Sequence, residues 1–145
     1  FNLLPHIGSL KEGGYFSEEW KMMAETRKIM HEPELALSAT CVRVPVFLSH
    51  SLAVHAEFER PFPPDEVREI LRSAPGVAVQ DDPAANLYPT PVAAAGKDPV
   101  YVGRIRQDMS HPNGIAMWIS SDNIRKGAAL DAIQIAETMI ARGLV

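Results

Sequence analysis

"VYVGRIRQDMSHPNGIAMWISS", residues 100–121, reads as two strands around a turn. "VYVGRIRQD" and "GIAMWISS" are rich in valine, isoleucine and aromatic residues, and the turn-forming "MSHPNG" between them is too short for a crossover. The pair is therefore an antiparallel hairpin. Upstream, "DDPAANLYPTPVAAAGKDP" (81–99) is an irregular excursion and "GVAVQ" (76–80) a short strand. "PPDEVREILRSAPG" (63–76) opens on prolines and an acidic turn, sets Val67, Ile70 and Leu71 on one side, and stops at Pro-Gly, which predicts a short amphipathic helix. "LALSATCVRVPVF" (35–47) and "SLAVHAEFERPF" (51–62) read as two further strands. In the first, Val42, Val44 and Val46 alternate on an expected buried face. In the second, Val54, Ala56 and Phe58 oppose His55, Glu57 and Glu59. Ser17 is the expected N-cap of a helix running to about His31, with Glu18 and Glu19 at its positive end. "DNIRKGAALDAIQIAETMIARG" (122–143) predicts one helix capped near Asp122 or Asn123, apolar around much of its circumference and so largely buried. The order α-β-β-α-β-β-β-α implies an α+β domain with a mixed, largely antiparallel sheet covered by helices.

Composition bounds what such a domain does. At 145 residues, 46% hydrophobic and 22% charged, with no repeat or low-complexity linker, residues 1–145 read as one domain with a real core. A net charge of −4 gives no broad footprint for nucleic acid. No apolar run approaches the roughly 18 residues of a membrane helix, and "FNLLPHIG" lacks the features of a signal peptide, so a cytosolic protein without membrane or nucleic-acid partners is expected. The single cysteine, Cys41, excludes an intramolecular disulfide framework and suits a reducing compartment. No metal site is expected. The chain opens on Phe1 rather than methionine, which suggests a domain of something longer.

Several charged residues sit where the fold alone does not ask for them. Glu18, Lys21 and Glu25 share one face of the first helix, either as a solvated ion ladder or as a holder for a zwitterion or anion. Arg43 lies within an apolar, β-forming run, where its planar fork suits a bidentate carboxylate, supplied by the protein or by a ligand. His50 is seven residues on and would point to the opposite face of an unbroken strand; a bulge or bend near Pro45 to Ser49, which the proline and "LSHS" allow, would bring both to one side. A hydrogen-bonded structural histidine is the alternative. Cys41 reads as a small buried hydrophobe rather than a nucleophile. Arg125 and Lys126 occupy a first helical turn, where the dipole disfavours them, and Arg104 and Arg106 alternate on one strand face.

The phrases "FNLLPHIG", "EEWKMMAETRKIM", "SATCVRVPVFLSHS", "YPTPVAAAGKDPVYVGRIRQD" and "SDNIRKGAALDAIQIAE", in this order over nearly the whole chain, resemble the C-terminal catalytic and dimerisation domain of the aspartate-β-semialdehyde dehydrogenases. The resemblance implies the α+β fold of the C-terminal domain of glyceraldehyde-3-phosphate dehydrogenase-like enzymes. It also implies NADP-dependent interconversion of aspartate semialdehyde and phosphate with β-aspartyl phosphate, on the route to diaminopimelate, lysine, threonine and methionine. By the same resemblance Glu18 binds the substrate amino group, Lys21 holds phosphate, Arg43 binds the substrate carboxylate, His50 is the acid/base, and Asn123 lies near the nicotinamide. A homodimer is implied too. The family's nucleophilic cysteine lies in an upstream segment, and no Gly-rich dinucleotide motif follows a strand here, so NADP is expected to be held mainly by an N-terminal domain. The rival expectation is a dimerisation or interaction module without a catalytic role, its strand arginines serving interfaces.

Overall fold

The computed structural model describes residues 1–145. In chain order its elements are α1 (Ser17–Met30), β1 (His50–Glu57), α2 (Pro64–Ser73), β2 (Val77–Val79), the single turn α3 (Pro91–Ala94), β3 (Val100–Gln107), β4 (Gly114–Ser121) and α4 (Leu130–Ala141). No helix is long and apolar enough to cross a membrane. The chain divides into two compact units, Phe1–Val46 and Phe47–Val145.

The second unit is built on the predicted hairpin. β3 and β4 pair antiparallel, β1 adds antiparallel to the other side of β4, and β2 lies parallel to β3, giving the open mixed sheet β1-β4-β3-β2. Alternation selects the buried face. Val102, Ile105 and Ile115 form its core with Val67 of α2, and Phe62, Leu71, Met117 and Ile119 pack around them. Along β1, Val54 and Ala56 are half-buried while His55 and Glu57 are exposed, as expected; Phe58 falls beyond the strand. Gly103 is required by close approach, because a Cβ there would lie 2.0 Å from the Gln80 carbonyl oxygen and 2.6 Å from Pro89 Cδ.

A bulge interrupts β3. The register passes from Gly103↔Trp118 to Arg106↔Ala116, so two residues face one, and Arg104 takes a left-handed φ of 53°. The bulge displaces the Ile105 backbone from the ladder, and side chains take its place: the Ile105 N–H donates to Asp81 Oδ2 at 3.2 Å, and Arg68 Nη2 donates to the Ile105 carbonyl at 2.5 Å. Arg68 Nε also donates to Asp81 Oδ2 at 2.7 Å, which makes the ion pair part of the strand's hydrogen bonding.

The C-terminal helix departs from expectation in two ways. Arg125–Ala129 winds as a π-turn, closed by Ala129 N–H donating to the Ile124 carbonyl at 3.2 Å, before α4 begins. Nor is α4 buried: Ile133, Ile135 and Ile140 are 56–65% exposed, because an all-round apolar helix needs surfaces on several sides. The entry to the π-turn, not α4 itself, is capped by Asp122, whose Oδ1 accepts from the Ile124 and Arg125 N–H groups at 2.8 and 3.0 Å.

In the first unit the strand expected over 35–47 does not form. Only an isolated antiparallel bridge joins Arg43 to Leu4, and Val42, Val44 and Val46 are 40–49% exposed. The cause is local. Pro45 has no N–H to give a ladder, and its fixed φ favours a three-residue turn in which Val46 N–H donates to the Val44 carbonyl at 2.8 Å. The N-cap of α1 is Phe16, not Ser17, because the Ser17 hydroxyl accepts from the Ser9 N–H at 3.0 Å while Glu19 Oε2 reaches back to the Phe16 N–H at 2.8 Å.

Candidate active site

In the first unit, Glu18 and Lys21 sit one turn apart on α1, and Lys21 Nζ donates to Glu18 Oε1 at 3.0 Å. That bond, with the charges of Glu18 and Glu25, raises the Lys21 ammonium above its ordinary value and holds it cationic. Both side chains reach solvent, so the pair is an available carboxylate and an available cation rather than a buried lock. Beside them Glu19 has the opposite character. It is 5% exposed, and its two oxygens accept from the Phe16 and Cys41 N–H groups, both at 2.8 Å. Those two bonds lower its pKa and fasten the Cys41 backbone to α1. Two residues on, Arg43 is fixed through its backbone: its N–H donates to the Leu4 carbonyl at 2.9 Å, and its own carbonyl accepts from Leu4 N–H at 3.1 Å. Its guanidinium is exposed and makes no ion pair within the chain.

Cys41 is buried, its Sγ 3.4 Å from Met22 Sδ, and burial followed by the charges of Glu19 and Glu18 pushes its thiol up. A thiol so placed is a poor nucleophile at neutral pH.

In the second unit, His50 opens β1 opposite Ser121 and its ring is exposed and unbonded within the chain. Ser120 Oγ donates to the His50 carbonyl at 3.3 Å. The expected bend before His50 is present, and Ser49 provides it with a left-handed φ of 75°. Asn123 Oδ1 accepts from the Ser49 N–H at 3.0 Å, so two residues named from the sequence, His50 and Asn123, are joined through one that was not. The only sequence signal for Ser49 was the polar "LSHS" after a proline. Asp122, 4% exposed, anchors Asn123 by accepting from Gly96 N–H at 2.7 Å and from its own helix start, and these bonds lower its pKa.

The chemistry available is thus a cation beside a carboxylate on α1, an unpaired guanidinium, and an unpaired imidazole. No cluster of His, Cys, Asp and Glu is arranged to hold a metal ion. The family described as semialdehyde dehydrogenase, dimerisation domain, matches residues 1–126. An aspartate-semialdehyde dehydrogenase of Aquifex aeolicus is 53% identical over 145 residues, which is all of this chain and 43% of that protein. The crystal structure of aspartate semialdehyde dehydrogenase II from Vibrio cholerae, complexed with ASA, superposes with a TM-score of 0.91 at 43% identity, covering 97% of this chain and 41% of that one. The enzyme from Candida albicans, solved with NADP, has a TM-score of 0.77 at 30% identity, covering 99% and 46%. The chain therefore spans less than half the length of the proteins it matches.

Proposed function

Because the chain belongs to the semialdehyde dehydrogenase dimerisation-domain family, we propose that it is the C-terminal part of an NADP-dependent aspartate-semialdehyde dehydrogenase, converting aspartate semialdehyde, phosphate and NADP to β-aspartyl phosphate and NADPH. The observation that carries this reading is that Arg43 and His50 are both held by backbone pairing while their side chains bond to nothing in the chain. Both side chains are exposed to solvent and committed to no contact of the fold, so they are available to a ligand. Arg43 takes the substrate carboxylate in a two-pronged bond, Glu18 its ammonium, and Lys21 the phosphate, which an ammonium held cationic attracts. His50 moves the proton of the nucleophile, a thiol supplied from outside this chain; burial and high pKa exclude Cys41 from that part. NADP supplies the hydride acceptor. Of its site this chain fits one contact: the Asn123 amide spends its oxygen on Ser49 and keeps its NH₂ as a donor toward a carboxamide. The rest of the cofactor belongs with a dinucleotide-binding domain. The working protein is a cytosolic homodimer, and the two units of this chain serve as one catalytic and dimerisation domain.

Two variants of the complete enzyme test the reading. Arg43→Lys keeps the charge but loses the fork, so the KM for aspartate semialdehyde rises at least roughly tenfold while that for NADP stays near the parent value. An unchanged substrate KM removes Arg43 from the site. His50→Asn lowers kcat by roughly 10²-fold or more with folding intact. A large fall in melting temperature with near-normal turnover would instead make His50 a structural residue.

A further inference from the structure

Ser49 is the least comfortable residue of the second unit. It is 5% exposed, an L-residue other than glycine in the left-handed region at φ 75°, and its buried hydroxyl has no hydrogen-bond partner in the chain. Each of these costs stability, and glycine at this position would avoid both. Strain of this kind persists only where the surroundings over-determine it. Here they do. Before His50, the Ser49 N–H is held by Asn123 Oδ1 at 3.0 Å; after it, the His50 carbonyl accepts from Ser120 Oγ at 3.3 Å, and Ser120 Oγ in turn accepts from Ser51 Oγ at 3.1 Å. Asn123 is itself immobilised, because the preceding Asp122 is tied to Gly96 and to the start of the last helix. The oxygen assignment of the Asn123 amide is not arbitrary, since a backbone N–H can be met only by the carbonyl end.

We propose that Asn123 is a positioning residue for the acid/base: by accepting from the Ser49 N–H it holds the strained turn that aims His50, separately from any contact its NH₂ makes with the cofactor. The proposal rests on the reading of His50 as acid/base. Without the bond, Ser49 relaxes toward negative φ, and the residue directly after it changes direction. A displacement of about 1 Å at a catalytic group is enough to cost roughly 10²-fold in rate.

The test uses four variants of the complete enzyme: Asn123→Ala, Asn123→Asp, His50→Asn, and the Asn123→Ala/His50→Asn double. Asn123→Asp keeps an acceptor for Ser49 but loses the donor toward the cofactor, so the two roles separate. Asn123→Ala is expected to lower kcat by roughly 10- to 100-fold, to distort the limb of the pH–rate profile that belongs to His50, and to speed hydrogen exchange at the Ser49 amide. Asn123→Asp gives up the NH₂ toward the cofactor, so its KM for NADP should rise as in the alanine variant, while slow exchange at the Ser49 amide and the His50 limb of the pH–rate profile are retained. Combined with His50→Asn, the alanine variant should add no further loss in kcat at saturating NADP, because there is no longer an imidazole to aim. Normal kcat in Asn123→Ala overturns the proposal. So do fast Ser49 exchange and a distorted His50 limb that Ala and Asp share, or a kcat loss that persists undiminished on the His50→Asn background. If His50→Asn itself retains full turnover, the acid/base reading fails and this proposal with it, an outcome distinct from failure of the Asn123 variants alone.

Discussion

Glu19 shows how one carboxylate organises the ground beneath the candidate substrate-binding groups. Its neighbour Glu18 pairs with Lys21 in solvent, whereas Glu19 spends both oxygens on backbone N–H groups of Phe16 and Cys41, so the segment leading to Arg43 is tied to the helix that carries Lys21. Glu19→Gln replaces one acceptor with a donor that faces an N–H, so one bond is lost and a repulsion gained. The melting temperature should fall by several degrees, and the KM for aspartate semialdehyde should rise as Arg43 loosens; a variant that melts like the parent would show that neither bond matters. The pH dependence has a definite sign. A carboxylate whose folded pKa is depressed contributes stability that is fully present above its ordinary value of 4.5 and is lost as pH falls below that toward the folded value. The Gln variant should therefore lose less stability than the parent between neutral pH and that acid range, as thermal melts across the range would show.

Among the elements, β3 carries the sharpest local conflict. A straight strand would leave Ile105 in the ladder and Arg104 unstrained; the bulge removes both comforts, and Arg68 with Asp81 restores the missing hydrogen bonds. Asp81 is 1% exposed at its side chain and Arg68 22%, so removing the acid leaves a mostly buried cation with only the exposed Asp65 as counter-charge, and leaves two donors unmet. Asp81→Ala should cost about 2–4 kcal/mol in chemical denaturation, somewhat below a fully buried pair because Arg68 touches solvent. A cost near zero would mean the bulge is held by packing alone. The hairpin, the edge strand β1 and α2 were legible in the sequence because their apolar residues repeat at the strand or helix period and their ends carry Pro, Gly or charge. The bulge was not, since two arginines at i and i+2 look the same on a regular strand. The strand over 35–47 was misread for a related reason: alternating valines record which residues are apolar, but not whether a neighbouring strand exists to receive them. Of the candidate site residues, Glu18, Lys21, Arg43 and His50 stand out in the sequence as charge or imidazole in improbable settings, while Ser49 carries no such mark and is visible only through its backbone.

At the scale of the whole molecule, the distribution of apolar surface matches a chain that works as part of something larger. Phe47, Leu48, Ile133, Ile135 and Ile140 all lie substantially in solvent, although the sheet core is closed. The 145-residue chain by itself should show no dehydrogenase activity, because its one cysteine is buried with a raised thiol pKa and no dinucleotide loop is present. Formation of NADPH from aspartate semialdehyde, phosphate and NADP by the purified chain would refute this. The bond from Asn123 to Ser49 joins residues 74 positions apart. Closing so long a loop is slow relative to local structure, so the turn before His50 is among the later things to be fixed. The β1–β4 ladder closes the same loop, since His50 pairs with Ser121, so the turn and the edge strand are fixed together. During synthesis residue 50 emerges well before residue 123, so the conformation of this turn is not set until the last strand has followed it out.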